Sequence, residues 1–177
     1  MAVSENGVRA GRYLSLALGD EVFAIAIEAV REILDDRETT RIPWMKPWMR
    51  GVINVRGTAI PVMDLAAALG LGAVRHGLDT RIVILEFRHE DRISRLGGLA
   101  DSVENVVSLA PEATHRQGLG EHAGIGACLQ GIARLEDGFV QVLDVAQLFS
   151  LAKGTDPIAD LAAASGSPVA PAAGKGL

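Results

Sequence analysis

Cysteine is nearly absent. Cys128 is the single one in 177 residues, so the chain forms no internal disulfide and has no CxxC metal or redox motif. Aromatic residues are scarce at 4%, although 49% of the chain is apolar, so the core is expected to be aliphatic. No stretch of about 18 apolar residues is present, which argues against a transmembrane helix. Residues 1–11 lack the apolar run of a signal peptide. A basic excess is missing too. With 17 Lys+Arg against 22 Asp+Glu the net charge is −5, and nucleic acid is not an expected partner. Together these absences describe a soluble, reduced, intracellular protein. What is plentiful is glycine, 20 residues of it, which points to many tight turns between short strands.

The ends differ in character from the middle. Residues 1–11 read as a loose arm. From Gly154 the chain is mostly Ala, Gly, Ser and Pro, and 153–177 reads as a flexible tail that buries too little to offset its ordering entropy. A short helix at Pro157–Ala164, capped by Asp156, fits within it. The globular part is 12–152. There the apolar period is mostly two, so the fold class is mainly β with short helices. Residues 12–27 form a hairpin about Gly19-Asp20. Val30–Leu34 is a third strand. Gly51–Val55 and Thr58–Met63 form a second hairpin about Arg56-Gly57. Further strands are expected at Arg81–Phe87, across Ile93–Val107, at Gln130–Leu135 and at Phe139–Leu143. Asp64 and Asp144 stand where they can cap the short helices Leu65–Leu69 and Val145–Leu151.

An internal repeat runs through this pattern. Gly51-Val52-Ile53-Asn54-Val55 matches Gly131-Ile132-Ala133-Arg134-Leu135 at a spacing of 80, and Val62, Asp64 and Ala66 match Val142, Asp144 and Ala146 at the same spacing. Upstream, Glu28-Ala29-Val30 matches Asp101-Ser102-Val103 at a spacing of 73. Two copies are too few for a solenoid, and a pair of similar small β-barrels fits better, with halves at about 12–72 and 80–150.

Catalytic patterns are thin. His76, His89, His115 and His122 have no metal-ligand spacing. The Gly118–Gly126 loop lacks the Lys-Ser/Thr of a phosphate-binding loop. Cys128 sits among apolar residues and reads as a small buried side chain. Asp64 and Asp144 recur at equivalent positions, which favours two caps over an acid-base pair. Arg56 stands out because a hairpin tip calls for Gly, Asn or Asp, not arginine. It is a candidate for displaying charge to a partner carboxylate, held by Glu32 of the neighbouring strand.

The run Gly51-Val52-Ile53-Asn54-Val55-Arg56-Gly57-x-x-Ile60-Pro61-Val62-x-Asp64-Leu65 resembles the hallmark of the CheW-like family of chemosensory coupling proteins. Ile27, Val30, Glu32 and Ile33, Thr40-Arg41-Ile42-Pro43, Gly98-Leu99-x-Asp101-Ser102-Val103 and Gly131–Leu148 extend the resemblance over the whole globular part. The resemblance implies two SH3-like five-stranded β-barrel subdomains, no catalytic activity and no cofactor or metal. It implies an adaptor that joins the cytoplasmic tip of methyl-accepting chemoreceptors to the regulatory domain of a CheA-type histidine kinase. Such a protein is cytoplasmic and recruited to receptor arrays, does not insert into the membrane and self-associates weakly at most. By resemblance the receptor-binding residues are Ile27, Val30, Glu32 and Arg56, and the kinase-binding residues Gly97, Gly98 and Val103. Val55 stands where leucine is commoner, and Gly97, Gly98 and Ala100 stand where bulkier residues are usual. Trp44 and Trp48 flank the groove-side loop. Two other readings stay open: an adaptor for surface motility or biofilm signalling, and a small hydrolase built on the Gly118–Gly126 loop.

Overall fold

A computed structural model of the chain describes residues 8–43, 45–110, 114–115 and 125–153. The expected helix at Pro157–Ala164, Trp44, His122 and most of the Gly118–Gly126 loop lie outside them. Strands β1 (Gly11–Leu18) and β2 (Glu21–Ala26) form the opening hairpin, and a short 3-10 turn at Ile27–Ala29 leads into β3 (Val30–Asp35). The second hairpin is β4 (Met49–Val55) and β5 (Thr58–Asp64), followed by helix α1 (Leu65–Ala68). A third hairpin, β6 (Arg81–His89) and β7 (Arg92–Ala100), is followed by β8 (Ser102–Leu109). A two-residue strand β9 (Thr114–His115), a hairpin of β10 (Leu129–Leu135) and β11 (Gly138–Leu143), and helix α2 (Val145–Ala152) complete the order. The strands expected across Ile93–Val107 are β7 and β8, separated by a bend at Asp101. The N-terminal boundary also differs from a loose arm through residue 11: Val8 is buried and Gly11 opens β1.

The strands make two SH3-like units. One sheet runs β3-β6-β7-β5-β4 and the other β8-β1-β2-β11-β10-β9. The second has five long strands and a short sixth. The halves 12–72 and 80–150 therefore do not each close a sheet. Each lends its opening hairpin to the other: β1–β2 joins the late strands, and β6–β7 joins the early ones. The chain crosses between sheets at Ile27–Ala29 and again at Asp101. At the second crossing the Asp101 carboxylate accepts hydrogen bonds from the backbone N–H of Gly19 at 2.8 Å and of Arg75 at 2.9 Å.

The repeat itself is real and its register is kept. Val62 pairs with Gly97 in the parallel β5–β7 ladder. Their counterparts in the repeat, Val142 and Ala24, pair with each other in the parallel β11–β2 ladder. Both ladders that begin the hairpins are interrupted at the same place, between Met49 and Gly51 and between Leu129 and Gly131. Thr40 bridges Val52, and His115 pairs with Ile132, the counterpart of Val52.

The exchange also explains the core. Leu14, Leu16 and Leu18 of β1 and Phe23 and Ile25 of β2 belong to one buried cluster with Ile82, Ile84, Leu85, Leu96 and Leu99 of β6 and β7. Alternation sends the other face of β1–β2, Tyr13 and Ala24, into a smaller cluster with Ala133, Val140 and Val142. β1 is therefore buried on both faces. Each fully buried Leu or Ile contributes about 1.5–3 kcal/mol, so the cluster that spans both sheets holds the subdomains together as one body.

Candidate functional site

The β4–β5 hairpin turns at Arg56-Gly57, with φ of 47° at Arg56 and 83° at Gly57. These are the two positive φ values of a type I′ turn, the tight loop that suits twisted strands. Glycine adopts them freely, whereas arginine incurs a steric cost of roughly 1–2 kcal/mol. Asn54 braces the tip by accepting a hydrogen bond from the Gly57 N–H at 2.8 Å. The guanidinium then reaches β3. Its Nη1 and Nη2 donate to both carboxylate oxygens of Glu32, at 2.8–3.2 Å. Arg56 is 71% exposed at the side chain and Glu32 26%. The fork-shaped pairing fixes the guanidinium plane and leaves most of the side chain to solvent.

β3 and β4 are the two end strands of their sheet, so the pair also clasps the barrel shut. The chain after β3 helps. Thr40 exchanges two backbone hydrogen bonds of 2.9 Å with Val52, and the Thr39 hydroxyl donates to the Arg50 carbonyl at 3.1 Å. This approach is what demands Gly51. Its φ is 143°, and a Cβ there would lie 2.3 Å from the Thr40 carbonyl oxygen.

Of the four residues expected to face a receptor, the structure unites Glu32 and Arg56. Ile27 and Val30 lie alongside, partly buried against the large cluster. Next to the Ile27–Ala29 crossing lies a groove of about 430 Å³ between the subdomains, lined by Ala26, Glu28, Phe87, Leu143 and Ala146 among others. Ile33, on the outer face of β3, is 43% exposed.

Gly97 and Gly98 do not form a surface. Both are buried in β7, a central strand. A Cβ on Gly97 would lie 3.0 Å from Ile82 Cγ2 and 3.2 Å from Val62 Cγ2, and one on Gly98 2.9 Å from Leu65 Cδ1. They are small because neighbouring side chains fill their space. Ile82 and Val62 do so at Gly97, and Leu65 of α1 at Gly98. Val103 lies on β8, an edge strand, partly buried against the large cluster.

Both capping aspartates do cap. Asp64 accepts from the Ala67 N–H at 2.9 Å, and Asp144 from the Gln147 N–H at 3.2 Å. Asp64 has further partners that the sequence does not announce. Arg50 donates to it at 2.7 and 3.2 Å, and the Val74 N–H at 3.1 Å. Cys128 is buried, and desolvation, aided by the nearby Asp144 charge, pushes its thiol up to about 11. Such a thiol is a poor nucleophile at neutral pH.

Comparison with known proteins agrees with this geometry. The family model for the CheW-like domain matches residues 12–153. The chain belongs to the CheW-like domain family. It is 26% identical over 122 residues to the chemotaxis protein CheW of Bacillus subtilis, covering 69% of this chain and 76% of that protein. It is 31% identical over 99 residues to a probable chemotaxis protein CheW of Rhizobium etli, covering 56% of this chain and 61% of that one. The protein PilI of Pseudomonas aeruginosa is 28% identical over 86 residues, 49% of this chain and 48% of that protein. With the last two, the match thus spans about half to three fifths of the relative. The crystal structure of the scaffolding protein TtCheW from Thermoanaerobacter tengcongensis superposes with a TM-score of 0.68 at 24% identity, covering 82% of this chain and 91% of that one. That likeness confirms the CheW fold.

Proposed function

We propose that this chain is a non-catalytic adaptor that couples the cytoplasmic tip of methyl-accepting chemoreceptors to a CheA-type histidine kinase. It acts in the cytoplasm at receptor arrays. The observation that carries the reading is the Glu32–Arg56 pair. An arginine is kept at a turn position that disfavours it, locked bidentate onto Glu32 and still 71% exposed. A rigid, oriented cation beside the partly buried Ile27 and Val30 suits the side of a helical receptor hairpin. The kinase-facing surface falls on the edge strand β8, where Val103 stands near Val106, which is 52% exposed. Receptor and kinase then contact opposite subdomains of one rigid body, and a shift at one interface is felt at the other.

The test is co-sedimentation of the full chain with receptor-bearing vesicles and the kinase regulatory domain. Arg56→Glu, which turns the pair with Glu32 into a like-charge contact, is expected to abolish receptor-dependent sedimentation while circular dichroism stays that of the parent and stability falls by no more than about 1 kcal/mol. Undiminished sedimentation would overturn the receptor-facing role. The likeness to PilI supports a second reading, an adaptor of a non-flagellar chemosensory pathway. A kinase panel from both kinds of pathway separates the two.

A further inference from the structure

The repeat places a cavity beside each aspartate-ended hairpin, and the two cavities carry opposite charge. The inter-subdomain groove is lined by Glu28, Glu86 and Asp144, with Arg88 as its one cation among the described residues. The other cavity, about 620 Å³, lies where the 36–50 segment meets the 70–77 link, and is lined by Arg37, Arg41, Arg50 and His76 against Asp36 and Glu38. The contrast is built at an equivalent position: Arg50 lines the second cavity, and Gln130, its counterpart in the repeat, lines the first.

Not all of these cations are spoken for. Arg50 uses Nε and Nη2 on Asp64, which leaves Nη1 without a hydrogen bond among the described residues. His76 is paired with Asp36. Arg37 and Arg41 are exposed, and no ion pair holds either among the described residues. Glu38 is the one lining carboxylate left facing them. Between them the floor is partly apolar, from Pro47 and the edges that the buried Met49 and Leu99 expose. A hollow of this size with convergent polar groups is the range in which small ligands bind. Guanidinium forks match phosphate oxygens in both shape and charge.

We infer that this cavity is a binding site for a small organic phosphate. Its phosphates would sit between Arg37, Arg41 and Nη1 of Arg50, with a compact apolar body against Met49 and Leu99. Such a ligand pulls on Arg50, and through Asp64 on the N-terminus of α1 and the 70–77 link.

The experiment is isothermal titration of the full chain at constant ionic strength with ADP, which has both charge and body, and with inorganic pyrophosphate, which has charge alone. Saturable one-site binding of ADP is expected, with pyrophosphate several-fold weaker. The double variant Arg37→Ala, Arg41→Ala is expected to weaken ADP binding at least about ten-fold without changing the melting temperature, because both side chains are exposed and neither is held in an ion pair among the described residues. Glu38→Gln should tighten it. No saturable binding at millimolar ADP, or binding that the double variant leaves unchanged, overturns the site. Pyrophosphate binding as tightly as ADP overturns the role of the partly apolar floor. Binding of a phosphorylated peptide with neither small probe bound overturns the small-ligand assignment.

Discussion

Asp64 and Asp144 hold the same place in the two copies of the repeat, yet they do different amounts of structural work. In both, the aspartate N–H donates to the carbonyl at an equivalent position ahead of the hairpin, Trp48 at 2.8 Å and Cys128 at 2.7 Å. Both carboxylates cap the helix that follows. Only Asp64 is also 1% exposed, bonded by Arg50 and by the Val74 N–H. The first copy has recruited its cap into a buried junction of helix, hairpin and link. The second has left it as a cap. The two copies share this geometry, and the residues at positions 50 and 130, arginine and glutamine, set their aspartates apart.

The most damaging way to break the first copy is at its closure. Gly51→Ala would drive a Cβ into the Thr40 carbonyl and hold alanine at a φ of 143°. Overpacking and backbone strain each cost about 1–3 kcal/mol, so a loss of about 3–4 kcal/mol is expected in urea melts. A cost below about 1 kcal/mol would mean that the 39–41 segment moves aside freely.

Next come the aspartates themselves. Asp144→Ala should cost about 1 kcal/mol, the usual worth of a cap. On the sequence alone, Asp64→Ala would cost the same. With the buried Val74 N–H left unsatisfied, worth about 1–3 kcal/mol, it should instead cost about 3 kcal/mol. Equal costs for the two variants would show that the Arg50 and Val74 contacts contribute nothing.

How much of this was legible beforehand follows from where each signal resides. The hairpins, the caps and the repeat are local, and alternation with Gly and Asp at fixed offsets displays them. The exchange of β1–β2 and β6–β7 is not local. Consecutive strands usually neighbour one another, and nothing in Glu28-Ala29 or Asp101 announces a crossing to another sheet. Gly97 and Gly98 are placed at a surface by resemblance alone, and their neighbours show why they are small: Ile82 and Val62 crowd Gly97, and Leu65, far away along the chain, crowds Gly98. Arg56 with Glu32 was readable because a turn position with a known backbone preference held the wrong residue. Arg50 sits at an ordinary strand position, so its partner stayed hidden.

The second copy has its own sensitivity, to alkali. Cys128 lies at the position of Trp48 in the first copy, and its thiol is held up near 11 from an ordinary 9.0, by burial first and Asp144 second. A raised folded-state pKa means that the fold favours the protonated thiol. That stabilisation is whole below pH 9 and is lost as pH rises towards 11. At about 1.4 kcal/mol per unit, the loss is about 2–3 kcal/mol at most. Tyr13 is raised by burial in the same direction, so Cys128→Ala should flatten only part of the decline. Urea melts at both ends of that range, with and without the substitution, measure it. A decline of unchanged size in Cys128→Ala would place the sensitivity elsewhere.

The smallest expected effect on stability is the most informative for function. Arg56→Gly replaces an arginine at φ 47° with the residue the turn prefers. Relief of backbone strain, about 1–2 kcal/mol, is set against glycine's extra chain entropy of about 0.5–1 kcal/mol and loss of a largely exposed ion pair worth about 0–1 kcal/mol. The net change should fall within about 0.5 kcal/mol of zero. The turn at the matching position of the second copy, Glu136-Asp137, has no arginine and no positive φ at either residue. If Arg56 were structural, its removal would lower stability and spare binding. If it is kept for a partner, Arg56→Gly leaves the melting curve in place and cuts receptor co-sedimentation several-fold, while Glu136→Gly at the matching tip, where φ is ordinary and glycine costs about 0.5–1 kcal/mol, leaves co-sedimentation unchanged. A melting loss with intact co-sedimentation would reverse the assignment and make the clasp between β3 and the hairpin tip the reason for the arginine.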